Sequence, residues 1–196
     1  DDPAQVKITP DVTAAVVGPG LGNHEELFFQ ILRELPEEVP LVVDADGLNI
    51  LARHGGMHRP GMILTPHMGE ASRLTGRSAK ELLADLPAAA VSLARQYEAV
   101  VVLKGAATVT ADPWGRIAMN TTGNPGMSTA GSGDVLAGTI AGLCAQQKDG
   151  DLWKMAACGV WLHGRAGDRA AEEVGQYALM ASDIIRFLRP DHLILS

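Results

Sequence analysis

The sequence predicts an α/β fold in which a mostly parallel sheet carries helices on both faces. Four short apolar runs, at 13–17, 41–43, 62–65 and 99–103, have the length of buried strands. Segments with helical periodicity separate these runs along the chain. Strands that alternate with helices in this way pair in parallel, and the crossovers cover both faces of the sheet.

Composition and charge exclude several classes of protein. The chain has 196 residues, 46% of them hydrophobic, and we expect a single domain over 1–196. Its net charge of −7 argues against a general nucleic-acid or anionic-membrane binder. No apolar run reaches the ~18 residues that a membrane span needs, and the first residues do not resemble a signal peptide. Cys144 and Cys158 lack metal-ligand spacing, so core thiols in a reducing, cytoplasmic location are expected.

The first strand leads into a glycine loop, Gly18-Pro19-Gly20-Leu21-Gly22. Asn23 and Glu26 then have the spacing of a capping box, which predicts a helix through about Leu35. Three glycines after a strand let the backbone approach a ligand closely. A plain tight turn explains the same residues equally well.

Polar residues follow the second strand. Asp44 and Asn49 come after 41–43, at the carboxyl end where open α/β sheets hold ligands, so both are candidate site residues. A short helix follows to about Arg53. Asp46 has a second interpretation, since it could cap that helix.

The third strand is followed by His67 and Glu70, which open a helix that ends near Gly76. Glu70 suits a functional role, but a carboxylate in a first helical turn is also favoured by the helix dipole. Ser78 starts a further helical region, and Pro87 divides it.

The fourth strand ends in Lys104-Gly105-Ala106-Ala107-Thr108. A lysine at this edge can neutralise phosphate charge, or it can simply extend from the sheet end into solvent. The segments 108–111 and 116–119 then predict a hairpin that could form one wall of a nucleotide pocket.

A glycine loop within Asn124–Leu136 delivers Asp134 to the start of an apolar helix. The free amides at such a helix start bind anions. Because a carboxylate repels phosphate, Asp134 suits removal of a proton from the group that attacks the phosphate. The alternative is that Asp134 caps the helix while Gly126, Gly131 and Gly133 form a turn.

Two helices complete the chain. One extends from Asp151 to about Val174, and Ser182 is predicted to cap the last helix. Trp153, Trp161 and His163 lie on the apolar stripe of the longer helix, so we expect core positions and assign His163 no chemistry.

Five of these segments together resemble one family, the ADP- or ATP-dependent NAD(P)H-hydrate dehydratases. The segments that carry the resemblance are Val16–Gly22, Asp44–Asn49, Leu64–Leu74, Leu103–Gly105 and Asn124–Leu136. The resemblance implies a ribokinase-like, three-layer α/β/α fold. It also implies repair of (S)-NADHX and (S)-NADPHX to NADH and NADPH through a phosphorylated intermediate.

The resemblance implies a role for particular residues. Asp134 matches the residue at the reacting hydroxyl and is expected to be the general base. The anion hole is expected at Gly131, Ser132 and Gly133. Nucleotide-binding positions are expected at Lys104, Gly105, Ala106, Ala107, Thr108, Asn124, Gly126 and Gly133. Substrate-binding positions are expected at Gly20, Gly22, Asp44, His67, Glu70 and Asp134.

The resemblance also implies cofactors and partners. ADP or ATP is the expected co-substrate, and Glu70 matches a carboxylate that helps to place Mg²⁺ through water. The expected partners are NADHX or NADPHX and a second copy of the chain in a dimer or tetramer, with no nucleic acid and no membrane. Family members normally begin well before the first strand seen here, so we expect this chain to lack an N-terminal segment.

Two other functions use the same residues. A ribokinase-like kinase acting on a vitamin precursor or sugar would use the same aspartate and anion hole, and a nucleotide-binding module would need no turnover. The segments His67–Glu70 and Gly18–Gly22 favour the dehydratase.

Overall fold

A computed structural model describes residues 7–147 and 150–188 of the chain. Six strands form one sheet in the order of the sequence, with β1 to β4 parallel and β5 and β6 antiparallel. The strands are β1 Ala15–Val17, β2 Leu41–Val43, β3 Met62–Leu64, β4 Val100–Leu103, β5 Val109–Ala111 and β6 Ile117–Met119. The predicted mostly parallel sheet and the predicted hairpin are confirmed.

Helices fill the connections between the parallel strands, and further helices come after β6. They are α1 Glu25–Glu34, α2 Asp46–His54, α3 Met68–Thr75, α4 Ala79–Leu83, α5 Leu86–Tyr97, α6 Ser132–Gln146, α7 Leu152–Val174 and α8 Ala181–Phe187. A short 3₁₀ helix at Pro125–Met127 precedes α6. No helix in the part of the chain that the structure describes is both long and apolar enough to cross a membrane.

Side chains of the sheet alternate between two cores. Leu41 and Val43 of β2 point into a cluster with α1 to α5, whereas Val42 points into a second cluster with α6 and α7. Ile140 of α6 and Val160 of α7 belong to that second cluster. Both faces of the sheet are therefore buried, and the expected three layers are confirmed.

Two predicted helix caps are wrong. Asn23 does not cap α1, because the Glu25 amide donates to the Asn23 carbonyl at 2.9 Å and the helix begins after His24, without a side-chain cap. Ser182 lies inside α8, which begins after Met180. The predicted division at Pro87 is confirmed, since α5 starts afresh there.

Arg116 ties the β5–β6 hairpin to the start of α7. Its Nε donates to the fully buried Asp112 carboxylate at 2.5 Å, and its Nη2 donates to Asp151 Oδ1 at 3.0 Å. The guanidinium also lies 4.9 Å from the ring centre of Trp153. These contacts to the two aspartates raise the pKa of Arg116 above its usual value, so the pairing stays charged.

The other predicted core residues differ in how far the structure buries them. Cys144 is buried, and burial raises the pKa of its thiol to about 11. Cys158 and Trp153 are half-buried. Trp161 is 39% exposed, so its predicted core position is wrong. Trp161 lies on α7 with its side chain partly in solvent.

The glycine loop after β1 approaches the end of β2 closely. A Cβ added to Gly18 would lie 1.8 Å from the Asp44 carbonyl oxygen and 2.7 Å from the Gly47 nitrogen. Gly18 also has a φ of +121°, which favours glycine. A side chain here would therefore push the ends of β1 and β2 apart.

We expect Gly18→Ala to lower the free energy of unfolding by roughly 3 kcal/mol, because it combines backbone strain with a clash. Gly20→Ala is the control, since Gly20 has a φ of +66° but no atom within 4 Å of an added Cβ. Backbone strain alone should cost Gly20→Ala about 1 kcal/mol. Urea unfolding followed by circular dichroism measures both, and equal losses would contradict the close approach at Gly18.

Candidate functional site

A cavity of about 730 Å³ opens at the carboxyl end of the parallel strands, beside the start of α6. Its wall is built by segments 104–108 and 120–129, by the start of α6 and by part of α7. It is lined by His67, Lys104, Gly105, Ala106, Thr108, Asn120, Thr122, Gly123, Asn124, Pro125, Met127, Ser128, Thr129, Ser132, Gly133, Leu136, Val160, His163 and Gly164. The structure therefore brings together eight of the sequence-predicted site residues: His67, Lys104, Gly105, Ala106, Thr108, Asn124, Ser132 and Gly133.

An ion pair joins two predicted residues at the edge of this cavity. Lys104 Nζ donates to Asp44 Oδ1 at 2.7 Å, across 60 residues of sequence. An added Cβ on Gly133 would lie 3.4 Å from the lysine nitrogen and 3.5 Å from Asp44 Oδ2. The ends of β2 and β4 and the start of α6 therefore meet at one point, and Lys104 does not simply extend into solvent.

The first turn of α6 presents backbone donors. Gly131 precedes the helix with a φ of +83°, and the Ser132 amide donates to the Thr129 carbonyl at 3.3 Å. In the described part of the chain, the amides of Gly133 and Asp134 have no hydrogen-bond acceptor. Such amides, together with the helix dipole, attract an anion.

Asp134 lies in this same first turn. Its side chain is exposed, and within the described residues its carboxylate has no hydrogen-bond or ion-pair partner. Asp134 does not line the cavity itself, but it directly follows the lining residues Ser132 and Gly133. The arrangement places an unpaired carboxylate next to a helix start whose free amides can attract an anion.

Two glycines of α7 allow segment 120–128, which precedes α6, to lie against α7. An added Cβ on Gly164 would be 2.1 Å from Thr122 Oγ1 and 2.8 Å from the Thr122 carbonyl carbon. One on Gly167 would be 2.2 Å from the Met127 sulfur. Asp168 of the same helix accepts from the Gly123 amide at 3.0 Å. Helix α7 therefore holds the cavity wall.

Asn124 is fixed by the same helix. Its Nδ2 donates to the Gly167 carbonyl at 3.0 Å and to Asp168 Oδ1 at 3.1 Å. Its Oδ1 accepts from the Gly126 amide at 3.1 Å. Gly126 thus contacts a wall residue without lining the cavity, and Ala107 and Gly131 do not line it either.

Sequence reasoning missed His163. It was expected in the core, but it lines the cavity, and its Nε2 lies 3.4 Å from Ser132 Oγ. The signal that could have found it is the pair Gly164 and Gly167, because glycines inside a helix mark a close approach. Thr122 and Thr129 were missed as well, since loop threonines carry no distinctive pattern.

His67 and Glu70 form the cap of α3. The Glu70 carboxylate is 5% exposed, accepts from the His67 amide at 2.8 Å and lies 3.5 Å from His67 Nε2. His67 Nδ1 accepts from the Gly69 amide at 2.9 Å. Glu70 therefore stabilises its own helix and lines neither cavity, whereas His67 borders the first one.

A second cavity of about 580 Å³ lies between the first glycine loop, α2 and α3. It is lined by Gly22, Asn23, Asp46, Asn49, Ala52, Arg53 and Arg73. Asp46 accepts from the Gly22 amide at 2.8 Å, and Arg73 Nε donates to Asn49 Oδ1 at 2.8 Å. Gly22 thus lies at a different cavity from Lys104, and Gly20 is exposed and borders neither.

The two cavities differ in whether their basic side chains are paired with a carboxylate. At the first cavity, Lys104 is paired with Asp44. Arg53 is paired with Glu25, which also contacts His54 at 2.9 Å. In the described residues Arg73 has no carboxylate partner. The second cavity therefore offers an unpaired guanidinium to an anionic ligand.

Comparison with solved structures defines the class of protein. The chain matches a ribokinase-like superfamily protein from Enterococcus faecalis with a TM-score of 0.76 and 29% identity, over 90% of this chain and 61% of that one. The fold is therefore ribokinase-like, as the resemblance implied. Open α/β sheets generally place ligands at the carboxyl ends of their strands, which is where the first cavity lies.

The family is narrower than the fold. The family model for NAD(P)H-hydrate dehydratase matches residues 2–189, so the chain belongs to that family. A Bacillus subtilis ADP/ATP-dependent NAD(P)H-hydrate dehydratase, co-crystallised with ATP/Mg²⁺, matches with a TM-score of 0.82 and 33% identity over 95% of this chain and 67% of that one.

Two sequence relatives carry related names. A bifunctional NAD(P)H-hydrate repair enzyme of Moorella thermoacetica is 47% identical over 91% of this chain and 34% of its own length. An ADP-dependent (S)-NAD(P)H-hydrate dehydratase of Neisseria meningitidis is 41% identical over 89% of this chain and 61% of its own length. The chain thus spans about a third and about three fifths of these two relatives.

We expect Gly164→Ala to displace segment 120–128 from α7, because the added Cβ meets the Thr122 backbone. An overpacked contact costs ~1–3 kcal/mol, which corresponds to roughly 5- to 150-fold in local opening. Hydrogen–deuterium exchange of segment 120–128 measures this. Gly138→Ala is the control, since nothing lies within 4 Å of its added Cβ. Unchanged exchange in Gly164→Ala would contradict the role given to α7.

Proposed function

We propose that this chain carries the nucleotide site and the general base of an ADP- or ATP-dependent dehydratase that restores NADH and NADPH from (S)-NADHX and (S)-NADPHX. One observation carries the proposal. The first turn of α6 combines two acceptor-free amides with the unpaired Asp134 carboxylate, beside a cavity that Lys104 also borders. Relatives at 41% and 47% identity with names for this activity support it.

The nucleotide is proposed to occupy the first cavity. Segment Lys104–Thr108 and the wall around Asn124 would enclose it, with Ala107 and Gly126 supporting these segments. Its terminal phosphate would face the turn at Gly131–Gly133, where helix amides offset negative charge. The charge of Lys104 is already shared with Asp44. The amides therefore provide much of the local attraction.

Asp134 is proposed to act on the substrate hydroxyl. Its carboxylate takes the hydroxyl proton as the hydroxyl oxygen forms a bond to the terminal phosphorus of the nucleotide. The bond from that phosphorus to the bridging oxygen breaks, so that ADP leaves as AMP, or ATP as ADP. An acid that repels phosphate is poorly suited to bind it but well suited to this proton transfer.

Elimination completes the repair. Phosphate departs with the electrons of the carbon–oxygen bond, and loss of a proton from the neighbouring ring carbon restores the double bond. Phosphate is a far better leaving group than hydroxide, which explains why a dehydration would consume a nucleotide. Positioning and electrostatics supply most of the catalysis in such a phosphoryl transfer.

The dinucleotide substrate is proposed to extend along α3. His67 precedes this helix at the first cavity, and Arg73 near its end borders the second, which Gly22 also lines. A substrate with its damaged ring near Asp134 could thus place a phosphate near Arg73. Gly20, Asp44 and Glu70 remain proposed substrate-binding residues. Asp44 would act by holding Lys104 in place through their ion pair.

Magnesium is proposed to accompany the nucleotide, where it would neutralise phosphate charge. Among the residues that the structure describes, no three or more His, Cys, Asp and Glu side chains form a group that could hold a metal ion. Glu70 is engaged in its helix cap, so it fits a role through water only. A homo-oligomer and a cytoplasmic location, without nucleic-acid or membrane partners, complete the proposal.

We expect Asp134→Asn to lower kcat by roughly 10²–10⁴-fold, because general-base catalysis typically contributes that much. Nucleotide affinity should not fall, since the change removes a charge that repels phosphate and alters the volume little. Recovery of NADH absorbance from NADHX with ADP or ATP measures turnover, and calorimetry measures binding. The matched control is Glu26→Gln, an exposed carboxylate in the first turn of α1.

The same assay discriminates between functions. Near-normal turnover in Asp134→Asn would refute its assigned role. A stable phosphorylated vitamin or sugar, with no recovery of NADH by the unmodified protein, would indicate a kinase. Nucleotide binding without any product would indicate a binding module.

We expect Arg73→Gln to raise KM for NADHX by about tenfold while kcat and nucleotide affinity stay unchanged. A hydrogen bond to a charged group is worth ~1.5–3 kcal/mol, which corresponds to tenfold or more in binding. Arg77→Gln is the charge-matched control, because Arg77 is exposed, lies four residues further along the chain and lines neither cavity. Equal effects of the two variants would show a general charge effect instead.

A further inference from the structure

His163 is the least exposed ionisable side chain on the wall of the first cavity. It is 9% exposed, as part of a helix whose neighbouring residues pack in the core. Burial, with a smaller contribution from the charge of Lys104, lowers its pKa to about 4. The imidazole is therefore neutral near pH 7, so one ring nitrogen donates a hydrogen bond and the other accepts one.

Ser132 is the polar group that His163 faces. It is 8% exposed, and its Oγ lies 3.4 Å from His163 Nε2. Within the described residues, this is the only hydrogen bond that the Ser132 hydroxyl makes. An apolar side chain at 163 would leave that buried hydroxyl without a protein partner, which is costly.

The hydroxyl is the hydrogen-bond donor of Ser132 that remains available to a ligand. Its amide already donates to the Thr129 carbonyl at 3.3 Å. A hydroxyl can accept one hydrogen bond while it donates another. If it accepts from the ring N–H, its own proton is free to point into the cavity, beside the amides of Gly133 and Asp134.

We propose that His163 is a positioning residue: its Nε2–H donates to Ser132 Oγ and directs the Ser132 hydroxyl proton towards the phosphoryl group at the start of α6. This inference rests on the proposed function, because it assigns a third donor to the same anion-binding turn. The distance of 3.4 Å is long for a hydrogen bond. Such contacts commonly tighten when the anion is bound.

A double-mutant cycle tests the coupling. We expect Ser132→Ala and His163→Leu each to lower kcat/KM by about tenfold, and the double variant to lose no more than Ser132→Ala alone. His163→Gln should retain most of the activity, because its side-chain amide can still donate. Losses that multiply in the double variant would overturn the proposal, as would an effect of His163→Leu confined to Tm.

The position of the proton on the His163 ring tests the donor role directly. A merely structural role would not require that proton to be on Nε2. Nitrogen-15 NMR of the imidazole should show a neutral ring with the proton on Nε2 between pH 6 and 8. A ring protonated on Nδ1 alone would contradict the donor role. His163→Gln, which lacks the imidazole signal, identifies the resonance.

Failure of the proposed function can be told apart from failure of this inference. If the unmodified protein does not restore NADH, the function falls. The same four variants are then compared by their Kd for ADP, measured by calorimetry. Non-additive losses in ADP affinity would still support His163 acting through Ser132, and additive losses would refute it.

Discussion

Two backbone amides at the start of a buried helix set the requirements for the rest of the site. The amides of Gly133 and Asp134 have no acceptor within the described residues, and the first amides of a helix need a partner from outside the helix. An anion satisfies them, and the helix dipole adds to the attraction. Helix α6 is otherwise apolar and packs on the sheet through Leu136 and Ile140. The sheet therefore fixes where the anion can bind.

The position of segment 120–128 in the cavity wall depends on its contacts with α7 more than on the sequence of the segment itself. Segment 120–128 is a mostly polar loop with one 3₁₀ turn at Pro125–Met127. The absence of side chains at Gly164 and Gly167 brings its backbone against α7, and Asp168 then satisfies the Gly123 amide. Long-range packing thus orders a loop that the local sequence leaves undetermined.

The sequence was sufficient to predict features that depend on local pattern. The alternation of apolar runs and helical segments predicted a mostly parallel sheet with helices on both faces, and the break at Pro87 follows from its missing amide. The start of α6 was predicted close to its observed place, because the glycine turn at Gly131 is local. The caps at Asn23 and Ser182 failed, since neighbouring backbone turns decide which residue precedes the helix.

Other features could not be predicted because they need the assembled fold. The pairing of Lys104 with Asp44 spans 60 residues, and only the shared carboxyl edge of the parallel strands brings them together. His163 has the same helical spacing as core residues, and periodicity does not distinguish a core from a cavity floor. The separation of Gly22 and Lys104 into two cavities likewise follows from where α3 lies.

The distribution of charge around the first cavity explains why one lysine and two aspartates belong there. Asp44 is almost fully buried and engages Lys104, so the pair adds little net charge to the cavity. Had Lys104 paired with Asp134 instead, the carboxylate would be stabilised in its charged form and would be a weaker base. Because Asp44 engages the lysine, Asp134 is left unpaired beside the amides. That separation of roles would let the proposed anion and the proposed base share one helical turn.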